Sequence, residues 1–186
     1  MHNSKLVSTP LGAHFRLSEA LAPQSEEEEQ FMSCVLYSSA VGSIMYSIVC
    51  TCPDISQAVR VVNRYMANSS KVHWQAVKWI LRYLHGTADV GLFYDRGSDI
   101  SSSVIGYFDS HYTNDLDKRR SLTDFVFTLS RCAISWKVTL QSTVALSTTE
   151  AKYLVAVEVV KEAIGLRGLV SDLGLQQDET VVFCDN

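Results

Sequence analysis

The sequence predicts an α/β fold, in which a mixed sheet packs against one long helix and a small helical segment precedes both. Two observations predict it. Before about residue 90, apolar residues recur every three or four positions, as in helices, whereas β-branched and aromatic residues then cluster in short runs between turn-rich stretches. A second helical pattern begins at Ser147, and one more apolar run follows it. Successive strands, then a helix and a strand, are typical of a mixed sheet with the helix on one face.

The first part of the chain divides into a tail and three helices. Residues 1–36 contain turn-rich stretches and a run of four glutamates, and we expect a flexible acidic tail or linker there. Residues 37–89 are expected to form a three-helix segment. Its second helix is expected to begin with Asp54 as the N-cap, and its third to run from about Lys71 to Gly86.

Residues 90–186 are expected to form the sheet and its helix. Five apolar runs are typical of strands: GLFYD, SVIGYFD, SLTDFVFTLS, AISWKVT and TVVFCD. The third and fourth are expected to form a hairpin joined at Arg131-Cys132. The helix that starts at Ser147 is expected to end at Gly174. Its predicted core face comprises apolar residues at helical spacing: Val155, Val159, Ala163, Leu166, Val170 and Leu173.

Composition excludes several classes of protein. A formal net charge of −4 does not favour an extended basic surface for nucleic acid. Five cysteines, an odd number in apolar settings without a matching zinc-ligand spacing, favour buried thiols in a reducing compartment. The first residues contain no apolar run of signal-peptide length, and no stretch approaches about 18 uninterrupted apolar residues, so no membrane span is predicted.

Three carboxylates stand where a metal site would need them. Asp109 and Asp185 each end an apolar strand, and Glu150 lies in the first turn of the long helix. If the two strands are neighbours, Asp109 and Asp185 lie about 4.8 Å apart, and such carboxylates repel one another unless a cation joins them. Hard oxygen ligands select Mg²⁺ or Mn²⁺, which polarises a phosphate and activates water. The residues therefore suggest a metal site for phosphodiester cleavage.

Each of these residues also has a simpler interpretation. Ser147-x-x-Glu150 has the spacing of a helix capping box, and Asp109 and Asp185 could each form a strand-end turn. The basic cluster Lys118–Arg120 could contact phosphate or lie solvated on the surface. His111, two residues after Asp109, could reach the same site. His73, beside Trp74 on a helix, is expected to be a packing residue.

The chain resembles a known family through collinear blocks that cover nearly all of it. The blocks are YSSAVGSIMY, PDISQAV, HWQAVKWILRYLHGT, GYFDS, RRSLTDFVF, AISWK, QSTVALSTTEAKY and the terminal CDN. They are similar to the end of copia-type retrotransposon polyproteins, where the segment leaving the reverse transcriptase meets the RNase H domain. The resemblance implies four catalytic acidic residues, of which Asp109, Glu150 and Asp185 match the first three. The fourth would lie beyond Asn186, so we expect a truncated RNase H-like sheet.

Several positions depart from the pattern of that family. His111 and Tyr112 replace an acidic residue and a tryptophan that usually follow Asp109. Cys52 replaces an arginine, Leu36 a proline and Asp124 a glycine. Scattered substitutions of this kind are typical of a transposable element that no longer transposes. Together with the missing fourth carboxylate, they predict that the chain is not a competent nuclease.

The opening residues also resemble open reading frames named as secreted RxLR effectors of downy mildews. The segment Arg16–Glu19, followed by the run Glu26–Glu29, loosely echoes an RxLR…EER arrangement. That resemblance implies secretion into a plant host cell, host plant proteins as partners, and suppression of defence or cell death as a virulence function. No membrane is implied as a partner.

Three functions therefore stay open. The first is an effector in which the RNase H-like core is only a scaffold. The second is a Mg²⁺- or Mn²⁺-dependent ribonuclease H that cleaves RNA in RNA–DNA hybrids in the cytoplasm or nucleus. The third is an expressed retrotransposon relic without a selected function.

Overall fold

The computed structural model describes residues 5–94, 103–113, 115–175 and 179–184. It contains helices and a mixed four-stranded sheet, so the predicted α/β class is confirmed. The chain divides into two units, Met1–Gly91 and Leu92–Asn186. Each unit has a hydrophobic core of its own.

The regular secondary structure described in the first unit is entirely helical. Its α-helices are α1 (Glu26–Ser33), α2 (Tyr37–Cys50), α3 (Ser56–Asn63) and α4 (Lys71–Gly86), with 3₁₀ turns at Glu19–Leu21 and Pro53–Ile55. Helices α2, α3 and α4 correspond to the expected three-helix segment. Their core consists of side chains that are at most 3% exposed: Val41, Ile44, Ile55, Val59, Val62, Val77 and Ile80.

The expectation of a flexible tail over residues 1–36 was wrong for the described part. Leu17 and Met32 are buried in the core of this unit. The glutamate run forms the first turn of α1, where Ser25 accepts a hydrogen bond from the Glu28 N–H, and acidic side chains there interact favourably with the helix dipole. Glu28 also accepts a 2.9 Å hydrogen bond from the Lys71 N–H at the start of α4. Two buried apolar side chains and this capping contact attach the segment to the core.

Asp54 does not cap a helix as expected. Helix α3 begins after Ile55 without a side-chain cap, and Asp54 instead accepts a 2.6 Å hydrogen bond from the Tyr83 hydroxyl, which raises the pKa of Tyr83 to about 12. Helix α4 begins at Lys71, as predicted. Ser70 and His73 form a capping box at this start. His73 is buried and stacks on Tyr65 at 4.2 Å, so the predicted packing role is confirmed.

The second unit contains the sheet, in the order β3-β2-β1-β4. The strands are β1 (Val104–His111), β2 (Leu122–Leu129), β3 (Cys132–Leu140) and β4 (Val181–Cys184). β1 and β2, and β2 and β3, pair antiparallel, whereas β4 pairs parallel with β1. The predicted first strand, GLFYD, was wrong in its described part, because Gly91–Tyr94 forms no strand. The Tyr94 hydroxyl donates a 2.9 Å hydrogen bond to the Ala133 carbonyl instead.

The hairpin between β2 and β3 is present, with its turn one residue earlier than expected. Leu129 pairs with Cys132, which leaves Ser130 and Arg131 as a two-residue loop. Both have positive φ, 49° and 64°, as a type I′ turn requires. That turn follows the right-handed twist of the two strands.

Helix α5 (Thr148–Asp172) packs on the sheet with most of the predicted face. Val155, Val159 and Val170 are buried in one cluster with the β2 phenylalanines, and Ala163 and Leu166 pack against that cluster. Leu173 was wrongly placed on this face: it is 69% exposed, because the helix has ended there. The predicted stop is confirmed, since Gly174 has φ +77° and the Leu175 N–H reaches the Val170 carbonyl in a Schellman motif.

One glycine in the sheet allows a close approach. A Cβ built on Gly106 in β1 would lie 2.6 Å from Cε1 of Phe127 in β2. The fully buried Phe127 ring therefore occupies the space that any side chain at position 106 would need.

Within the described residues, no single helix is long and apolar enough to cross a membrane. The bent pair of α1 and α2 reaches the required length and composition only when both helices are taken together.

Candidate functional site on the open face of the sheet

One face of the sheet packs on α5, and we call the other its open face. Side chains alternate along a strand, and β1 directs Val104 and Phe108 toward the core shared with α5. Tyr107 and Asp109 therefore belong to the open face. The strand register adds partners from the neighbouring strands: Val126 and Phe183 opposite Tyr107, and Asp124 opposite Asp109.

Asp109 is only partly exposed and is engaged locally. Its Oδ1 accepts a 2.6 Å hydrogen bond from the Ser110 N–H. Its Oδ2 lies 3.7 Å from Nε2 of His111, and the two side chains are 38% and 45% exposed. His111, which replaces an acidic residue of the related pattern, thus contacts the carboxylate of Asp109.

Asp124 forms a pair of carboxylates with Asp109 across β1 and β2. Burial raises the pKa of the Asp124 carboxyl, His111 lowers it and the charge of Asp109 raises it. The sequence analysis noted Asp124 only as a departure from a glycine. Its place in the site depends on the β1–β2 register, which sets Asp109 opposite Asp124. Because β1 ends at His111 and β2 begins only at Leu122, no tight turn sets this register, and the sequence offered no signal for the pair.

Glu150 takes part in capping α5, as its position three residues after Ser147 allowed. Ser147 Oγ accepts a 3.1 Å hydrogen bond from the Glu150 N–H, and Glu150 Oε2 accepts a 2.7 Å hydrogen bond from the Leu146 N–H. The carboxylate therefore satisfies a backbone donor just before the helix begins. Glu150 is exposed, which leaves its second oxygen accessible to solvent.

The start of α5 lies at the same end of the sheet as Asp109. Gln141, just after β3, donates a 2.9 Å hydrogen bond from Nε2 to the Ala151 carbonyl and another from its N–H to the Ser121 carbonyl. Ser121 precedes β2, whose first residue pairs with the last residue of β1. The topology thus brings Asp109 and Glu150 to one end of the sheet.

The third predicted carboxylate, Asp185, lies outside the described residues. The last described register pair of β1 and β4 is Phe108 with Cys184. The basic cluster lies in the loop between β1 and β2, where Lys118 and Arg119 are exposed. That loop is closed by hydrogen bonds between Asp115 and the main chain of Arg119 and Arg120.

The donor atoms on this face fit a hard cation. Carboxylate oxygens are the ligands that Mg²⁺ and Mn²⁺ prefer, and Mg²⁺ commonly takes one or two carboxylates and keeps several waters. Asp109 and Asp124 supply such a pair. In the described part of the chain, no three His, Cys, Asp or Glu side chains are placed to share one ion. The ligand set of Asp109, Glu150 and Asp185 stays a prediction.

The open face also contains a cavity of about 540 Å³. Its lining includes Asp109 and Asp124 together with Tyr107, Val126 and Phe183. Tyr107 and Phe183 stack with their ring centroids 5.5 Å apart and their planes 21° apart. The cavity thus combines two acidic side chains with an aromatic wall.

Comparisons with known proteins give relatives of two kinds. The chain is 52% identical over all 186 residues to the retrovirus-related Pol polyprotein from transposon TNT 1-94 of Nicotiana tabacum, of which it spans 14%. It is 32% identical over 187 aligned residues to the corresponding polyprotein from transposon RE2 of Arabidopsis thaliana, of which it spans 12%. No protein-family model and no solved structure matches the chain.

A third relative matches this chain over nearly all of its own length. Secreted RxLR effector protein 161 of Plasmopara viticola is 40% identical over 135 residues, which is 73% of this chain and 94% of that protein.

Proposed function

We propose, since this chain belongs to the family of retrovirus-related Pol polyproteins of transposons, that it is a retroelement-derived fragment whose RNase H-like second unit serves as an interaction module. In this proposal it acts as a secreted effector inside a plant host cell, binds host plant proteins and suppresses defence or cell death. It does so without cleaving nucleic acid.

The observation that carries the proposal is the use made of the two described carboxylates. Asp109 is occupied by the Ser110 N–H and by His111, and Glu150 by the Leu146 N–H. Each contact stabilises local backbone structure, so both residues have a role in the fold that needs no metal. The coverage of the effector-named relative, 94% of its length, supports the same proposal.

The proposal is tested by expressing the chain in leaves together with an elicitor of cell death. We expect suppression by the wild-type chain and by Glu150→Gln, because a metal-dependent nuclease would need the Glu150 carboxylate, whereas binding a partner does not. Val155→Asp should abolish suppression, because it places a charge in the core between α5 and the sheet. Suppression lost in the carboxylate variant, at equal protein level, would reject a non-catalytic mechanism, and no suppression by the wild type would reject the effector function.

A second candidate is a ribonuclease H that acts on RNA–DNA hybrids. The observation that favours it is the position of Asp109 and Glu150 at one end of the sheet. Asp109, Glu150 and Asp185 would hold Mg²⁺ or Mn²⁺, and Lys118–Arg120 would contact phosphate. The metal would polarise the scissile phosphate and activate a water, while the carboxylates orient it.

The two candidates are separated by hydrolysis of a labelled RNA–DNA hybrid in Mg²⁺ or Mn²⁺. Under the interaction proposal, the wild-type chain cleaves no faster than Asp109→Asn. Asp172→Asn, an exposed carboxylate in the last turn of α5, is the matched control. Cleavage by the wild type and by the Asp172 variant, lost in the Asp109 variant, would establish the nuclease.

A further inference from the structure

The cavity on the open face has a chemistry that the proposed function does not use. Its volume of about 540 Å³ lies within the range of small-molecule sites, roughly 300–1,000 Å³. Its aromatic wall is accessible, since Tyr107 is 46% and Phe183 is 52% exposed. The two rings lie on neighbouring parallel strands and stack on one another.

Among the described residues, the acidic end of the cavity combines two carboxylates with one histidine. Asp109 and Asp124 are register partners, and among the described side chains their nearest cationic neighbour is His111, a histidine that is charged only when protonated. Two like-charged carboxylates opposite each other on neighbouring strands repel one another, which costs free energy. A positively charged group placed between the two would remove this cost.

The rings and the carboxylates are spaced for one extended side chain. Tyr107 and Asp109 are two residues apart on one face of β1, a separation of about 7 Å. Val126 and Asp124 repeat that spacing on β2. A group with an apolar stem and a cationic head can lay the stem on the rings and Val126 while its head reaches both carboxylates.

We propose that this cavity binds the guanidinium group of an arginine side chain from a partner polypeptide. Guanidinium is planar, stacks on aromatic rings and donates paired hydrogen bonds to carboxylates, whereas a lysine ammonium is a strongly hydrated point charge that does neither as well. Nucleic acid is the wrong ligand here, because Asp109 and Asp124 repel phosphate although the rings could stack on bases. The assignment of this arginine to a host protein rests on the proposed interaction function. The binding of a guanidinium group does not depend on that function.

The test is a titration of the full ¹⁵N-labelled chain with argininamide, followed by the amide shifts of β1, β2 and β4. We expect a dissociation constant on the order of 1 mM, with no binding of citrullinamide, whose side chain has the same shape but no charge. Asp109→Asn and Asp124→Asn should each weaken binding about tenfold, and Phe183→Leu about threefold. Asp172→Asn, far along α5 from this end, should leave the affinity unchanged.

Three results would overturn the inference: no shifts with argininamide, equal shifts with citrullinamide, or full affinity in both aspartate variants. The citrullinamide comparison uses the wild-type chain, so it decides the matter even if a variant fails to fold. A capped peptide with one central arginine identifies the source of the guanidinium group. Tighter binding of the peptide than of argininamide supports a partner polypeptide. Equal affinity overturns the polypeptide assignment in favour of a small guanidinium compound. Loss of cell-death suppression in leaves would reject the proposed function, whereas the titration result would stand.

Discussion

Asp124 is held half-buried opposite Asp109, and this placement affects stability in a pH-dependent way. Burial is the main reason that its pKa is raised, and the charge of Asp109 adds to it. A carboxyl whose pKa is higher in the folded than in the unfolded chain stabilises the fold at low pH. That contribution is lost as the pH rises through the folded pKa.

We therefore expect Asp124→Asn to be more stable than the wild type at neutral pH. The gain should be modest, about 2 °C in melting temperature, because the side chain is partly solvated. The gain in melting temperature should disappear below about pH 3.5, the lower end of the ordinary pKa range of carboxyl groups. Melting curves across this range check it, with the exposed Asp89→Asn as control. A gain that persists unchanged at the acidic end would contradict the role of charge.

At the scale of elements, one essential glycine follows the end of α5 and two dispensable glycines lie within it. Gly174 ends the helix with φ +77°, a conformation that costs other residues free energy. Gly165 and Gly168 lie inside the helix, are exposed, and have nothing within 4 Å of an added Cβ. In a helix interior, glycine is less favourable than alanine.

Alanine at these positions should therefore act in opposite directions. Gly174→Ala is expected to lower the free energy of unfolding by about 1 kcal/mol, whereas Gly165→Ala and Gly168→Ala should each raise it by about 0.5–1 kcal/mol. Urea unfolding of the three variants measures this. A gain from Gly174→Ala would contradict the Schellman motif as the stop of α5.

The elements that the sequence predicted well are those with local signals. The start of α5 after Ser147 and its stop at Gly174 each depend on residues within one turn, and both were predicted. Asp54 was misjudged because its partner, Tyr83, lies 29 positions away in the chain. Asp109 could be identified from its motif, but its pairing with Asp124 required the register of two strands.

At the scale of the whole molecule, the chain has two separate hydrophobic cores. Ile80 is fully buried in the helical core and Phe127 in the core between α5 and the sheet. The described apolar clusters of the two units share no residue. Substitutions in one core should therefore act mainly on the unit to which it belongs.

Hydrogen exchange read by mass spectrometry tests this separation. Phe127→Ala should destabilise its unit by about 3–5 kcal/mol and raise exchange in β1, β2 and α5, with little change in α2–α4. Ile80→Ala, which removes about 2–5 kcal/mol, should have the reverse pattern. Equal loss of protection in both units from either variant would mean that the chain unfolds as one body.

The contact between Gly106 and Phe127 has a consequence for the history of this chain. Because an added Cβ would lie 2.6 Å from the ring, any other residue at position 106 would displace the fully buried Phe127 ring. A sequence drifting without selection accumulates substitutions there as readily as at an exposed glycine such as Gly168. If natural isolates vary at residue 168 but retain glycine at residue 106, purifying selection has been acting on a folded protein, and the chain is more than a transcribed remnant.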